Sequence, residues 1–79
     1  MNEAIIKVGC IPYIISYKDM NEHGYIEISI NLGCYLIAWL QYIPCGDKRY
    51  DYNVLMQYKY IKDELIEELL DKFTEMVVK

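Results

Sequence analysis

The chain has 79 residues, 54% of them hydrophobic, with 12 acids against 8 bases and a formal net charge of −4. Such a chain has room for one domain and is too apolar to be disordered. The charge balance and the lack of any basic run disfavour direct nucleic-acid binding.

Three cysteines (Cys10, Cys34, Cys45) form no C-x-x-C pair, and the single histidine, His23, stands far from them in sequence. This gives neither a disulfide framework nor a zinc signature. The expectation is reduced thiols acting as small apolar residues in a cytoplasmic protein, with no metal and no cofactor. The opening residues Met1, Asn2, Glu3 and Ala4 put an acid where a secretory signal wants bases. Ile, Tyr, Lys and Asn are frequent, while there are two alanines (Ala4, Ala38) and one arginine (Arg49). Such usage fits AT-rich coding DNA, as in a low-GC bacterium, its phages or its plasmids.

In chain order, Ile5 to Val8 and Ile11 to Tyr17 are β-branched and aromatic runs. Gly9 falls between them, and Pro12 asks for an edge or a bulge because it has no N–H to give. Lys18 to Gly24 is a polar turn. Tyr25 to Leu32 alternates cleanly, with Ile26, Ile28, Ile30 and Leu32 on one face and Tyr25, Glu27, Ser29 and Asn31 on the other. Gly33 marks a tight turn or bulge. Cys34 to Ile43 is apolar on both faces, the pattern of a strand buried on two sides. Pro44 to Lys48 makes a second turn.

Ile28 to Cys45 carries no charge, which raises a membrane span as an option. Interruption by Ser29, Asn31, Gln41 and Gly33, and the strict alternation before them, argue for strands instead. Residues 49–60 read two ways. Tyr50, Tyr52, Val54, Met56, Tyr58 and Tyr60 alternate like a strand, but Val54, Tyr58, Ile61, Leu65, Leu69, Phe73 and Met76 also recur at helical spacing, with Asn53 as a possible cap. The longer alternation favours a strand to about Tyr58. Asp63 to Val78 predicts an amphipathic helix. It has no Gly or Pro, its acids crowd the first turns, and Leu65, Ile66, Leu69, Leu70, Phe73, Met76 and Val77 form one stripe.

The fold expected is α+β: an antiparallel sheet of four to five strands followed by one C-terminal amphipathic helix. It forms a single domain over 1–79, β-rich over 1–60 and with an acidic helix over 61–79. One helix covers one face of such a sheet, so either the sheet closes into a barrel or a second molecule covers the free face.

Candidate chemistry is sparse. No phosphate loop, nucleophile elbow or paired histidine is present, so no catalytic residues are assigned and the chain does not read as an enzyme. Ser16, Ser29 and Thr74 are the only small hydroxyls. Glu27 is a lone carboxylate. Among the cysteines, only Cys45 has cations close in sequence.

Two features suggest a protein partner. Glu64, Glu68, Asp71 and Glu75 share a helix stripe, an acidic surface for a basic partner and, at its sharpest, an imitation of DNA phosphates. Nine tyrosines suit both strands and interfaces. Tyr50, Tyr52 and Tyr58, with Trp39, are the candidate anchors, although Trp39 fits a core position equally well. The leading expectation is a non-enzymatic interaction module, a homodimer or an adaptor for another protein, in its narrowest form an inhibitor carried by a phage or mobile element. The alternatives are a small-molecule binder or minor enzyme with a pocket between helix and sheet, which a polar cluster around Cys45, Asp47 and Arg49 would favour, and a membrane-associated protein.

Overall fold

The computed structural model describes residues 2–46 and 49–78. Five strands run in chain order as an antiparallel meander: β1 (Asn2–Val8), β2 (Ile11–Tyr17), β3 (Ile26–Leu32), β4 (Tyr35–Pro44) and β5 (Tyr50–Gln57). The sheet is open, with β1 and β5 at its edges. A single helix, α1 (Asp63–Phe73), follows and continues through a π-helical turn over Thr74–Val78. This is the expected α+β architecture, and within residues 49–60 the segment Tyr50–Gln57 is strand rather than helix. Pairing of β5 along most of β4, from Pro44↔Tyr50 to Ala38↔Gln57, outweighs the helical spacing of Val54 and Tyr58.

Each strand turns its apolar parity toward α1. The core is built from Ala4 and Ile6 of β1, Tyr13 and Ile15 of β2, Ile26, Ile28 and Ile30 of β3, and Ala38, Leu40 and Tyr42 of β4. They meet Ile66, Leu69, Leu70 and Phe73 of the helix. Phe73 stands edge-on to both Tyr17 and Tyr42, with ring centroids 5.1 and 5.3 Å apart, a favoured aromatic geometry. The helix lies closest to β1, where Ala4 leaves room for it.

Two hairpins are closed by Gly–Cys loops, Gly9–Cys10 between Val8 and Ile11 and Gly33–Cys34 between Leu32 and Tyr35. Gly9 and Gly33 have φ of +63° and +62°, a left-handed conformation that glycine enters at little cost. Pro12 fits the same economy. The β2–β3 pairing runs only over Ile14–Tyr17, so β3 has already turned away at Gly33 before it reaches Pro12.

The helix occupies the expected Asp63–Val78, α-helical to Phe73; the Thr74 hydroxyl then bonds back to Leu70 O and the last turn widens. Two other expectations are corrected. The three cysteines are exposed at hairpin connections and are not apolar filling. The free face of the sheet is not continuously apolar. Its middle strand presents Glu27, Ser29 and Asn31, which separate Ile14 of β2 from Trp39 and Ile43 of β4. Asn31 Nδ2 donates to Ile14 O and lies near Ser16 Oγ, so this face has polar bonding of its own.

Among the described residues, no helix is long and apolar enough to cross a membrane. Residues 28–45, the uncharged stretch, are two strands and their turn.

Candidate functional site

The structure divides the predicted site residues among three places. The first is a groove between β5 and α1, about 510 Å³ in volume and lined by Cys45, Arg49, Tyr50, Asp51, Tyr52, Glu67 and Asp71. Tyr50 and Tyr52 reach it because they share the helix-facing parity of β5 with Val54. Tyr50 Oη donates to Asp71 Oδ1 at 2.6 Å and lies 3.1 Å from Glu67 O. Tyr52 Oη donates to Glu67 Oε2 at 3.4 Å. Burial first, and then the hydrogen bond and charge of Asp71, hold the Tyr50 hydroxyl well above the usual tyrosine range. Burial first and then the nearby Asp63 and Glu67 raise Tyr52.

The polar groups of this groove are largely engaged with one another. Cys45 Sγ has one proton to donate and lies 3.4 Å from Ile43 O and 3.5 Å from Asp51 Oδ2. Local desolvation, followed by the hydrogen bond to Asp51, pushes its thiol up, away from the reactive thiolate. Asp47, the third member of the polar cluster considered above, lies outside the described residues. The groove pins the helix to the sheet edge, and its tyrosine hydroxyls and the Cys45 thiol each have an acceptor among the described residues.

The second place is the outward side of α1. Glu64, Glu68 and Glu75 are exposed. Asp71 does not join them as a free acid, since it is turned to Tyr50, and Glu68 pairs with Lys72 at 3.6 Å. All four acids of the predicted stripe are exposed, but Asp71 is engaged by Tyr50 and Glu68 by Lys72.

The third place is one end of the sheet. In a meander, the β1–β2 and β3–β4 turns and the end of β5 all fall at the same end. Here that end carries Ile11, Tyr35, Leu36 and Tyr58, all exposed. Tyr35 is 74% and Tyr58 59% accessible, and Tyr60, just beyond, is 80%. A groove of about 440 Å³ runs between them, lined by Leu32, Tyr35, Leu36, Ile37, Tyr58 and Lys59. Tyr58 Oη lies 3.3 Å from Met56 Sδ, and Met56 stands across the ladder from Trp39. The apolar surface therefore continues from the tip onto the free face of the sheet, where Trp39 is half-buried.

A β-bulge creates this arrangement. Trp39 pairs with Met56 and Leu40 with Val54, so Leu55 is an extra residue in β5. The parity of the strand changes there. Tyr50 and Tyr52 face the helix, whereas Met56 joins Trp39 on the opposite face. The four tyrosines 50, 52, 58 and 60 do not line one face, as unbroken alternation would require. Sequence reasoning does not single out Tyr35, Leu36 and Met56 as surface residues or Glu67 as a groove residue. The adjacent apolar pair Leu55–Met56, which breaks the alternation, was the only local sign of the bulge.

The opposite end of the sheet carries the largely polar turn of residues 18–24, with Met20 exposed in it. Asn21 Oδ1 accepts from the N–H groups of His23 and Tyr25 and orders the β2–β3 turn. His23 is exposed beside Glu22 and stacked on Tyr25. No group of three or more metal-ligating side chains occurs among the described residues. Comparison with protein-family models, curated proteins and solved structures found no match to this chain.

Proposed function

We propose that this chain is a non-enzymatic interaction module that holds a protein partner at the aromatic end of its sheet. The observation that carries the reading is the clustering of Tyr35, Leu36 and Tyr58 around one open groove at that end, continued by Met56 toward Trp39. Tyr, Trp and Met are the residue types enriched where protein surfaces meet, and a patch of this kind on an isolated chain is an association surface or an aggregation liability.

The narrower reading, an inhibitor of a host protein carried by a phage or mobile element, rests on small size, acidity and AT-rich residue usage alone. A small-molecule binder would use the groove between β5 and α1. Its tyrosine hydroxyls are already committed to Glu67 and Asp71, which favours the partner-binding reading.

Affinity capture from host lysate separates the surfaces. The Tyr35→Ser/Tyr58→Ser double variant changes only exposed side chains and should keep the wild-type circular dichroism spectrum while losing the captured protein. Glu64→Gln/Glu68→Gln should retain it. Capture lost by the second variant and kept by the first would move the binding surface to the helix.

A further inference from the structure

We propose that the chain pairs with a second copy of itself through the free edge of β1, antiparallel about a two-fold axis at Ile5, to give a continuous ten-stranded sheet. The proposal begins from the backbone. Val8 and Ile11 flank a two-residue loop, so they form a hydrogen-bonded pair, and the pattern alternates along the strand. The N–H and C=O groups of Lys7, Ile5 and Glu3 therefore point away from β2, into the open edge. Lys72 Nζ, which donates to Lys7 O at 2.9 Å, confirms that direction for Lys7.

The side chains of the same three residues lie on the sheet face opposite the helix, and all three are exposed. Ile5 is 63% accessible, an isoleucine standing on a face whose central strand is polar. Antiparallel pairing at Ile5 sets Ile5 against Ile5 of the copy. It sets Glu3 against Lys7 of the copy, and Lys7 against Glu3. One register thus matches the free hydrogen-bonding groups, buries the exposed isoleucine and forms two opposite-charge pairs. Ala4 and Ile6 are set against each other on the helix side and extend the core across the axis. An isologous contact of this kind closes on itself and stops at two copies.

The other edge does not offer this. On the β5 side an antiparallel match of Asp51 with Lys59, which already lies beyond the strand, would centre on Leu55, the bulged residue. The bulge changes which backbone groups face outward, so the two halves of β5 cannot complement each other. The β1 ladder has no register shift over its whole length. Natural edges are commonly blunted by bulges or by lysines. Here β5 has a bulge; β1 carries Lys7, which the proposed register pairs with Glu3 of the copy, and the Lys72 ammonium at one carbonyl, which pairing would displace. The aromatic ends of the two copies would point in opposite directions, leaving both free for partners. Self-pairing at β1 and partner binding at the aromatic end are therefore separable.

The test is charge exchange on the full chain, read by sedimentation equilibrium, with circular dichroism confirming that each variant is folded. The wild type should be a dimer in the micromolar range. Glu3→Lys alone and Lys7→Glu alone each place like charges across the axis twice and should weaken the dimer about tenfold or more. An equimolar mixture of the two should recover wild-type affinity, because each hetero-pair restores both opposite-charge contacts. Independently, Ile5→Cys should oxidise to a dimer linked at position 5 by peptide mapping, since Cα atoms across a hydrogen-bonded antiparallel pair are about 5.5 Å apart, within disulfide reach. A monomer up to millimolar concentration would overturn the proposal. So would single variants that dimerise like the wild type, which would place the contact at β5 or at the aromatic end, or a mixture no tighter than its components.

Discussion

The Tyr42 hydroxyl and the Thr74 hydroxyl meet at 2.5 Å in the buried seam between β4 and the end of the helix. The single proton of Thr74 is directed to Leu70 O at 2.7 Å, so Tyr42 is the donor to Thr74 Oγ1. This chain of two bonds lets a tyrosine fill the core at full burial with its polar atom satisfied. It also places the site where the helix departs from α geometry.

The two partners are unequal in what their loss leaves behind. Tyr42→Phe removes a donor while Thr74 keeps its bond to Leu70, and should cost about 0.5–1.5 kcal/mol. Thr74→Val is nearly isosteric but strands the Tyr42 hydroxyl in the core, and should cost about 1–3 kcal/mol. Urea unfolding of both variants checks the order. Equal costs would mean that Tyr42 finds another acceptor.

Leu69 and Phe73 are fully buried against the sheet. Leu69→Ala or Phe73→Ala should each cost about 2–5 kcal/mol, a large share of the stability available to a domain of this size. Thermal melting should show either a steep fall in midpoint or an unfolded chain at room temperature. Wild-type melting in both variants would mean that the helix is not held on the sheet.

Alkaline pH should loosen the molecule through the groove. Tyr50, Tyr52 and Tyr42 all ionise at higher pH in the folded chain than free tyrosine, whose value is about 10. The unfolded chain therefore loses these protons first. Stability from this source is complete below about pH 10 and is lost as pH rises from there through the folded values. Tyr50→Phe should be somewhat less stable at neutral pH, having lost its bond to Asp71, yet show a shallower decline above about pH 10. An identical alkaline slope in wild type and variant would contradict the groove geometry.

Gly33 should resist substitution for backbone reasons alone. Its φ is +62°, and a Cβ built there meets no atom within 4 Å. Gly33→Ala should cost about 1–2 kcal/mol of left-handed strain with no steric clash. A neutral result in chemical denaturation would indicate that the β3–β4 loop relaxes to another turn type.

The period-2 patterns of β2 and β3, and the glycine-punctuated turns between strands, are local properties, so these elements were legible residue by residue. The same holds for α1, whose apolar stripe and acidic first turns need no neighbour to be recognised. Residues 49–60 satisfied two local periods at once, and the ladder to β4 decided between them. Period alone assigns residues to two faces but does not say which face the helix will cover. Docking of α1 on the Ala38, Leu40 and Tyr42 face left Trp39 on the other. A bulge adds one residue to one strand and exchanges the faces of everything after it, and its register exists only with reference to the partner strand. That single residue, Leu55, separated Tyr50 and Tyr52 from Met56, a division that only the paired strands could make. The acids of the helix were likewise one stripe in sequence, until the position of β5 made Asp71 a hydrogen-bond partner of Tyr50 and left Glu64 to solvent.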